Sequence, residues 1–269
     1  MTYAAADAVA AAPAVAASEL LGLSAGADNK VFPRLKIDEL FACAPYRSAD
    51  FVKHIFVAID PNSGQYDTRP GGGSDFAVVS FYEHNGKTVI AGAEAIDANH
   101  PEDYLSPLAH HLTRLRASAA TANATLVIAI ELNLGQEAGW LSKYINERFN
   151  NVLIMQETAL KVGVPTDAAL KRDMANQLRS RLVRGAVHIA HDFVCVSSPA
   201  ETVLGKLKQQ MCDYAEVRTA STDPLRGART QFSGKMGGRR DDLVVALQLA
   251  VIWSGVAKTD PKYAPCMGV

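Results

Sequence analysis

Three positions in the chain place carboxylates where an apolar segment ends or begins. Asp60 follows one apolar run rich in β-branched residues, and Glu131 follows another. Asp241 and Asp242 directly precede a third apolar stretch. A carboxylate beside buried apolar residues is costly unless a hydrogen bond, a cation or a metal ion compensates its charge. The three positions therefore predict a site in which acids converge.

Converging carboxylates repel one another unless something positive lies among them. Hard divalent cations with oxygen ligands, Mg²⁺ or Mn²⁺, match such acids. Two such ions about 3.5–4 Å apart activate water and stabilise the leaving oxygen in phosphodiester cleavage. We therefore expect two Mg²⁺ or Mn²⁺ ions as cofactors, and Asp60 as their shared ligand because it ends the predicted central strand. The expected catalytic and metal-binding residues are Asp60, Glu131, Asp241 and Asp242.

Each acid taken alone also has a structural explanation. Asp60 precedes a turn-forming segment that begins with Pro61, and its side chain could cap that turn. Glu131 could pair with a nearby cation, and Asp241 with Asp242 could be favourable charge at a helix N-terminus. The occurrence of all three positions in this order favours the metal site.

The elements that must position these acids change period along the chain. Strands are predicted over residues 55–59, 76–82, 88–96, 126–130, 152–155 and 186–190, and Asn85-Gly86 predicts a tight hairpin. Helices are predicted over residues 101–119, 135–147, 166–183, 199–214 and 241–253. Three antiparallel strands followed by alternating helices and strands predict an α/β mixed sheet flanked by helices. Neighbouring parallel strands of such a sheet deliver their last residues to one edge, where sites form.

Composition excludes several classes of protein. The net charge of −1 excludes a globally basic nucleic-acid-binding protein, so any DNA contact must come from a local patch. The four cysteines include no Cys-x-x-Cys pair, which argues against a zinc site or a disulfide framework. No apolar run in the sequence is expected to reach the length of a membrane span, so no membrane partner is predicted.

A local patch of this kind lies in the last third of the chain. Lysine and arginine outnumber acids between positions 206 and 240. Such residues beside a metal site would hold phosphates without reading bases, although an ordinary solvated face has the same composition. The predicted DNA-binding residues are Lys171, Arg226, Arg229, Lys235, Arg239 and Arg240.

The segments around the acids resemble the nuclease domain of viral terminase large subunits, most of all the herpesvirus type. The matching segments are Val57-Ala58-Ile59-Asp60-Pro61, Ile130-Glu131-Leu132-Asn133 and residues 238–246, with Ser233-Gly234-Lys235 ahead of the last and residues 163–190 as the middle segment. The likeness covers about residues 52–255. Two positions depart from the family: Asn62 stands where alanine is usual, and Leu132 stands where glycine is usual.

The resemblance implies an RNase H-like fold and a two-metal endonuclease that cuts concatemeric viral DNA during genome packaging. It implies Asp242 as a metal ligand, with Asp241 as support or second ligand. The implied partners are double-stranded DNA, a packaging motor ATPase domain, the portal and the small terminase subunit. The expected location is the host nucleus for a herpesvirus-like protein or the host cytoplasm for a phage-like one, without secretion.

The expected domain organisation is a leader or linker over residues 1–50, the nuclease domain over residues 51–257 and a tail over residues 258–269. No phosphate-binding loop of the form Gly-x-x-x-x-Gly-Lys-Ser/Thr occurs in the sequence. The motor ATPase is therefore expected outside this chain.

Three alternatives stay open from the sequence. Another RNase H-like nuclease, of the junction-resolvase or transposase type, uses similar acids. An actin-like phosphate-binding fold also places glycines after a strand-ending Asp, as the segment from Asp60 to Gly73 does. A non-catalytic fold that only binds DNA is a third possibility, against which the presence of every acid argues.

Overall fold

The computed structural model describes residues 29–48, 50–61, 75–97, 100–118, 120–132, 137–158, 161–219, 229–234 and 240–268. Its strands are β1 Asn29–Lys30, β2 His54–Asp60, β3 Phe76–His84, β4 Lys87–Ile96, β5 Thr125–Ile130, β6 Val152–Ile154, β7 Gln156–Thr158, β8 Lys161–Val162, β9 Val187–Val194, β10 Ala215–Thr219 and β11 Arg229–Ser233. Its helices are α1 Arg34–Ala42, α2 Pro101–Leu115, α3 Glu137–Arg148, α4 Ala168–Val183, α5 Ala200–Asp213, α6 Asp242–Thr259 and α7 Ala264–Met267.

The central sheet has six strands in the order β6-β5-β2-β3-β4-β9. β2, β3 and β4 form an antiparallel meander, and β5, β6 and β9 each pair in parallel with a neighbour. The meander turns between β3 and β4 at Asn85 and Gly86, whose φ angles of 50° and 74° are those of a tight hairpin turn. The predicted mixed α/β sheet is therefore confirmed.

Residues of β2 alternate between the two faces of the sheet, and each face has its own apolar core. Phe56 and Ala58 pack on the face covered by α6, together with residues of α4 and α5. Ile55, Val57 and Ile59 pack on the other face, against residues of α2 and α3. This alternation decides on which face the side chain of the last residue of β2 lies.

Within the described ranges, one helix has the length and composition of a membrane span. α6 has 18 residues and a mean hydropathy of 1.4, but 72% of it is buried inside the fold. The expectation that no apolar run approaches this length was wrong. Burial on this scale is that of the central helix of a globular core, which is apolar on every side because protein surrounds it.

Some short elements were not predicted from the sequence. β7 and β8 form a small hairpin, and β1 joins β10 and β11 in a separate three-stranded sheet. The basic, glycine-containing segment 217–240 is predicted from the sequence as loop or hairpin, and the antiparallel pairing of β10 with β11 agrees with the hairpin. β9 extends to Val194, beyond the predicted short strand. Strands of two or three residues, such as β1, β7 and β8, carry too few positions for a period to be recognised. The predicted irregular tail contains the four-residue helix α7.

Candidate active site

Asp60 and Glu131 lie side by side at one edge of the central sheet. β2 and β5 are parallel with Ile59 opposite Ile130, and the Glu131 N–H donates to the Ile59 carbonyl at 2.8 Å. Asp60 lies two residues after Ala58 and therefore on the same face of the sheet, which is the face covered by α6. Glu131 lies two residues after Ala129, which packs on that face too. Both side chains are buried, at 6% and 3% exposure. The two acids therefore end neighbouring strands at the same end of the sheet.

Asp242 reaches the same edge from the first turn of α6. Its Oδ2 accepts a hydrogen bond of 2.8 Å from the backbone N–H of Asp75, and the side chain is fully buried. Asp75 lies two residues before Ala77, which pairs with Asp60 across the β2–β3 ladder. The carboxylate of Asp242 therefore lies at the end of β2 where Asp60 lies.

Asp241 is held by a different neighbour. Its Oδ2 accepts from the Gly234 N–H at 2.9 Å and from the Ser233 hydroxyl at 3.2 Å. A Cβ at Gly234 would lie 2.9 Å from the Asp241 Cβ, so this close approach requires glycine. Asp241 is the N-cap of α6, with a φ of −132° and a ψ of 9°, whereas Asp242 is the first helical residue, so the two side chains leave the backbone in different directions.

Glu131 contacts two side chains from the start of α4. The Thr166 hydroxyl donates to Glu131 Oε1, and Lys171 Nζ lies 4.0 Å from the same oxygen. Asp167 caps α4 by accepting from the Leu170 N–H at 2.7 Å, which places Lys171 in the first turn. Lys171, predicted to bind DNA, therefore lies beside the acids.

Asp75 is a fifth buried acid at this edge, and the sequence reasoning missed it. Arg240 pairs with its Oδ1, and Lys206 Nζ lies 3.9 Å from its Oδ2. Burial raises the pKa of Asp75, the cations Arg240 and Lys206 oppose that rise, and the charge of Asp242 adds to it. The signal that could have found Asp75 is the register of the β2–β3 pair, which no short-range pattern specifies across the long connection.

Two buried polar residues support the acids from beneath. Gln210 Oε1 accepts from the backbone N–H groups of Leu243 and Val244 at 2.8 and 3.1 Å, so it caps the start of α6. Tyr214 is fully buried, and burial raises the pKa of its hydroxyl, with the charges of Asp241 and Glu131 acting in the same direction. Tyr214 thus lies within the electrostatic reach of two predicted ligands.

The described part of the chain contains no group of three or more His, Cys, Asp or Glu side chains close enough to hold a metal ion. The donor set nevertheless fits a hard divalent cation in its chemistry, because the buried donors at this edge are carboxylate oxygens. The acids that would hold such an ion are Asp60, Glu131 and Asp242, with Asp241 adjacent.

The structure describes some of the predicted DNA-binding residues and not others. Lys171 and Arg240 contact acids of this edge, and the Arg240 guanidinium also lies 3.7 Å from Asp97. Arg226, Lys235 and Arg239 lie outside the described residues. Arg229 begins β11, and only its backbone is described.

The departure at Leu132 has a visible packing consequence. The Leu132 N–H donates to the Val164 carbonyl at 2.8 Å. Gly163 precedes Val164 with a φ of 99°, and a Cβ there would lie 3.2 Å from the Leu132 Cβ. A Cβ at Gly163 would also lie 2.8 Å from the Ala138 Cβ, so glycine at this position lets the facing segment pack close to both Leu132 and α3. Asn62, the other departure, lies outside the described residues.

The chain shares its fold with the human cytomegalovirus terminase nuclease domain. The human cytomegalovirus terminase nuclease domain, Mn soaked and inhibitor bound, is 14% identical, covers 87% of this chain and 97% of its own, and superposes with a TM-score of 0.57. The Mn-soaked domain is 15% identical, covers 86% of this chain and 96% of its own, and has a TM-score of 0.55. Another structure of that domain is 14% identical, covers 87% of this chain and 97% of its own, and has a TM-score of 0.53. No protein-family model matches the sequence, and no curated protein matches it significantly. The predicted resemblance is confirmed at the level of the fold.

Proposed function

We propose that the protein is a metal-dependent DNA endonuclease, the nuclease domain of a terminase large subunit that cleaves concatemeric viral DNA during genome packaging. The observation that carries the proposal is the burial of Asp60 and Glu131 at the ends of two neighbouring parallel strands, with Asp242 bound to the backbone N–H of Asp75 near the same end of the sheet. The fold shared with the cytomegalovirus domain supports it. The Mn-soaked state of that domain supports divalent cations as cofactors.

The chain's own residues have distinct roles in this proposal. Asp60, Glu131 and Asp242 would hold two Mg²⁺ or Mn²⁺ ions, with Asp60 as the proposed shared ligand and Asp241 as support. Such ions, when bound, supply Lewis-acid activation of water and of the phosphoryl oxygens. The Asp75 N–H orients the carboxylate of Asp242. The buried surroundings of the acids keep them in a low-dielectric environment that strengthens each electrostatic contact.

Thr166 and Lys171 have positioning and electrostatic roles at the Glu131 side. The Thr166 hydroxyl donates to Glu131 and thereby fixes one carboxylate oxygen. The Lys171 ammonium, 4.0 Å from that oxygen, lies where it would also attract a backbone phosphate of DNA. Phosphate contacts position a duplex without reading sequence, so cleavage with little sequence preference is the expected behaviour.

The partners follow from the proposed process. The proposed substrate is double-stranded DNA, and the proposed partners are a packaging motor ATPase, the portal and the small terminase subunit. The proposed location is the host nucleus for a herpesvirus-like system and the host cytoplasm for a phage-like one.

A plasmid assay tests the proposal. Supercoiled plasmid incubated with the protein and Mn²⁺ should become nicked and then linear, and EDTA should stop the reaction. Cleavage that continues in EDTA would contradict the metal-dependent mechanism. Intact plasmid at every concentration of Mn²⁺ and Mg²⁺ would contradict the nuclease itself. A four-way DNA junction cut in preference to plasmid would point to the junction-resolvase alternative.

A further inference from the structure

A cleft of about 430 Å³ lies beside the acid edge, between α5 and the start of α6. A pocket of this size falls in the range of about 300–1,000 Å³ that holds small ligands. The cleft shares Asp75 with the candidate active site, because the backbone N–H of Asp75 holds Asp242 at 2.8 Å. Its lining residues are Asp75, Lys206, Gln209, Gln210, Asp213 and Arg240.

One carboxylate in this cleft holds two cations unequally. The Asp75 side chain is 1% exposed, and no hydrogen-bond donor in the described part of the chain reaches its Oδ2. Arg240 is bound through Oδ1 and is also near Asp97. Lys206 lies 3.9 Å from Oδ2, beyond hydrogen-bond distance, and its side chain is 45% exposed. The Lys206 ammonium is therefore placed to reach an incoming anion while Asp75 keeps it near the cleft.

The rest of the lining is polar and of mixed charge. Gln210 is committed to the N-terminus of α6, and the Gln209 amide donates to Asp213 Oδ2 at 2.7 Å. The two carboxylates of the cleft are balanced by two cations, so the cleft offers no excess of positive charge to a free polyanion such as inorganic phosphate. A single nucleotide unit suits it better, since it carries one backbone charge together with a neutral sugar and base.

We infer that this cleft is a subsite for one nucleotide of the DNA strand next to the scissile phosphate. Lys206 contacts the phosphate of that nucleotide, and the Gln209 side of the cleft takes its sugar and base. The inference rests on the proposed function for the path of the DNA. The inference adds Lys206 as a DNA-binding residue. It also gives a location for the DNA strand where that strand passes beyond the acids.

The first test compares two lysines of the same helix. Lys206→Ala removes the cation of the cleft, whereas Lys208→Ala removes a lysine that pairs with Asp38 at 2.7 Å outside it. The probe is a short fluorescein-labelled duplex of mixed sequence in EDTA, with fluorescence anisotropy read over a salt series. Lys206→Ala should reduce the slope of log K against log salt by about 0.9 and weaken binding about five- to tenfold at moderate salt. Lys208→Ala should leave both unchanged.

The second test fills the cleft without changing its charge. Gln209→Trp adds a ring to the lining, and Thr202→Trp adds the same ring to an exposed position of the same helix. Gln209→Trp should weaken duplex binding and raise the KM for plasmid cleavage while kcat is retained. Thr202→Trp should resemble the wild type. Thermal melting verifies that each variant is folded, and if Gln209→Trp is not, the lysine pair alone decides.

The outcomes separate this inference from the proposed function. Binding is measured without metal, so a protein that never cleaves plasmid but whose salt slope falls in Lys206→Ala would overturn the nuclease and support only the DNA contact at Lys206. An active nuclease whose Lys206→Ala variant keeps the wild-type slope and affinity would overturn the cleft alone. Equal loss in Lys206→Ala and Lys208→Ala would also overturn it, because the effect would then be that of general charge.

Discussion

Two buried carboxylates of the central sheet, Asp75 directly before β3 and Glu94 in β4, are held in opposite ways. Glu94 accepts from the backbone N–H groups of Val196 and Ser197 at 2.8 and 2.9 Å, and it lies 2.8 Å from His111 Nδ1. Burial alone would raise the pKa of Glu94, but the hydrogen bonds from His111 and Ser197 bring it below its usual value. The pKa of Asp75 is raised, chiefly by burial.

The difference between the two carboxylates separates a buried acid that stabilises the fold from a buried acid that belongs to a functional site. The donors to Glu94 join β4, α2 and the segment after β9, so its charge stabilises the packing of three elements. Asp75 lies among other acids, and the charge of Asp242 adds to the cost of its ionised form. Groups with such perturbed pKa values gather at functional sites, where stability is given up for chemistry. The comparison therefore predicts that substitutions at the two regions have opposite consequences.

The largest expected effect is on cleavage. Asp60→Asn and Asp242→Asn should each reduce the rate by about a thousandfold or more, because they remove ligands of ions that contribute several kcal/mol to transition-state stability. Melting temperature without metal should be retained or raised, since a carboxylate leaves a repelling cluster. Asp241→Asn should keep measurable activity. Plasmid cleavage with Mn²⁺ and thermal melting measure the two effects, and loss of fold together with activity would mean that the acids are structural.

The second largest effect is expected at Glu94, on the stability of the fold. Glu94→Gln should lower the free energy of unfolding by about 3–5 kcal/mol, because it breaks a buried hydrogen-bonded charge network. Glu83→Gln is the control: Glu83 pairs with Arg181 and Lys258, but its side chain is 26% exposed whereas that of Glu94 is fully buried, so the loss should be smaller, about 1–3 kcal/mol. Urea unfolding measures both variants. A Glu94→Gln protein as stable as the wild type would remove the contrast between the regions.

Gly92 and Gly234 test the same contrast between the region of Glu94 and the candidate site. A Cβ at Gly92 would lie 2.6 Å from the Val194 carbonyl oxygen and 2.8 Å from His111, so Gly92→Ala should cost about 1–3 kcal/mol of stability through overpacking. A Cβ at Gly234 would press on Asp241, so Gly234→Ala should lower the cleavage rate more than the stability. Melting and plasmid cleavage of both variants decide this, and a Gly234→Ala protein with wild-type activity would show that the position of Asp241 does not matter.

The smallest effect is in pH dependence. The lowered pKa of Glu94 contributes stability above its unfolded pKa of about 4.3, and that stability is lost as pH falls through the folded pKa. The raised pKa of Asp75 has the opposite sign: the ionised form is penalised near neutral pH, and acidification removes the penalty. Asp75→Asn should therefore melt above the wild type at neutral pH and Glu94→Gln below it, with both differences shrinking in acid. Melting curves across pH measure this, and differences of the same sign would contradict it.

Local patterns predicted the parts of the fold that local chemistry decides. The apolar run before Asp60, the Asn85-Gly86 turn and the Asp167 start of α4 each have their cause within a few residues. The fold class and the shared edge of Asp60 and Glu131 follow from element order, so they were within reach of the sequence.

The remaining features depend on contacts between distant segments. Asp75 meets Arg240 across most of the chain, and Glu94 meets Ser197 through the pairing of β4 with β9. Arg240, predicted as a DNA contact, was not expected to pair with a buried acid. A sequence pattern carries no information on such registers, because they are set by how the sheet closes and how α5 and α6 pack on it.

Direct measurement of Mn²⁺ binding tests the central claim most closely, since it does not depend on DNA or turnover. Electron paramagnetic resonance of free Mn²⁺ during titration should show binding to the wild type and to the Glu83→Gln control. Asp60→Asn and Asp242→Asn should each weaken that binding by at least about ten- to a hundredfold while remaining folded. Equal Mn²⁺ affinity in all four proteins, or none in the wild type, would contradict a metal site at the edge formed by Asp60, Glu131 and Asp242.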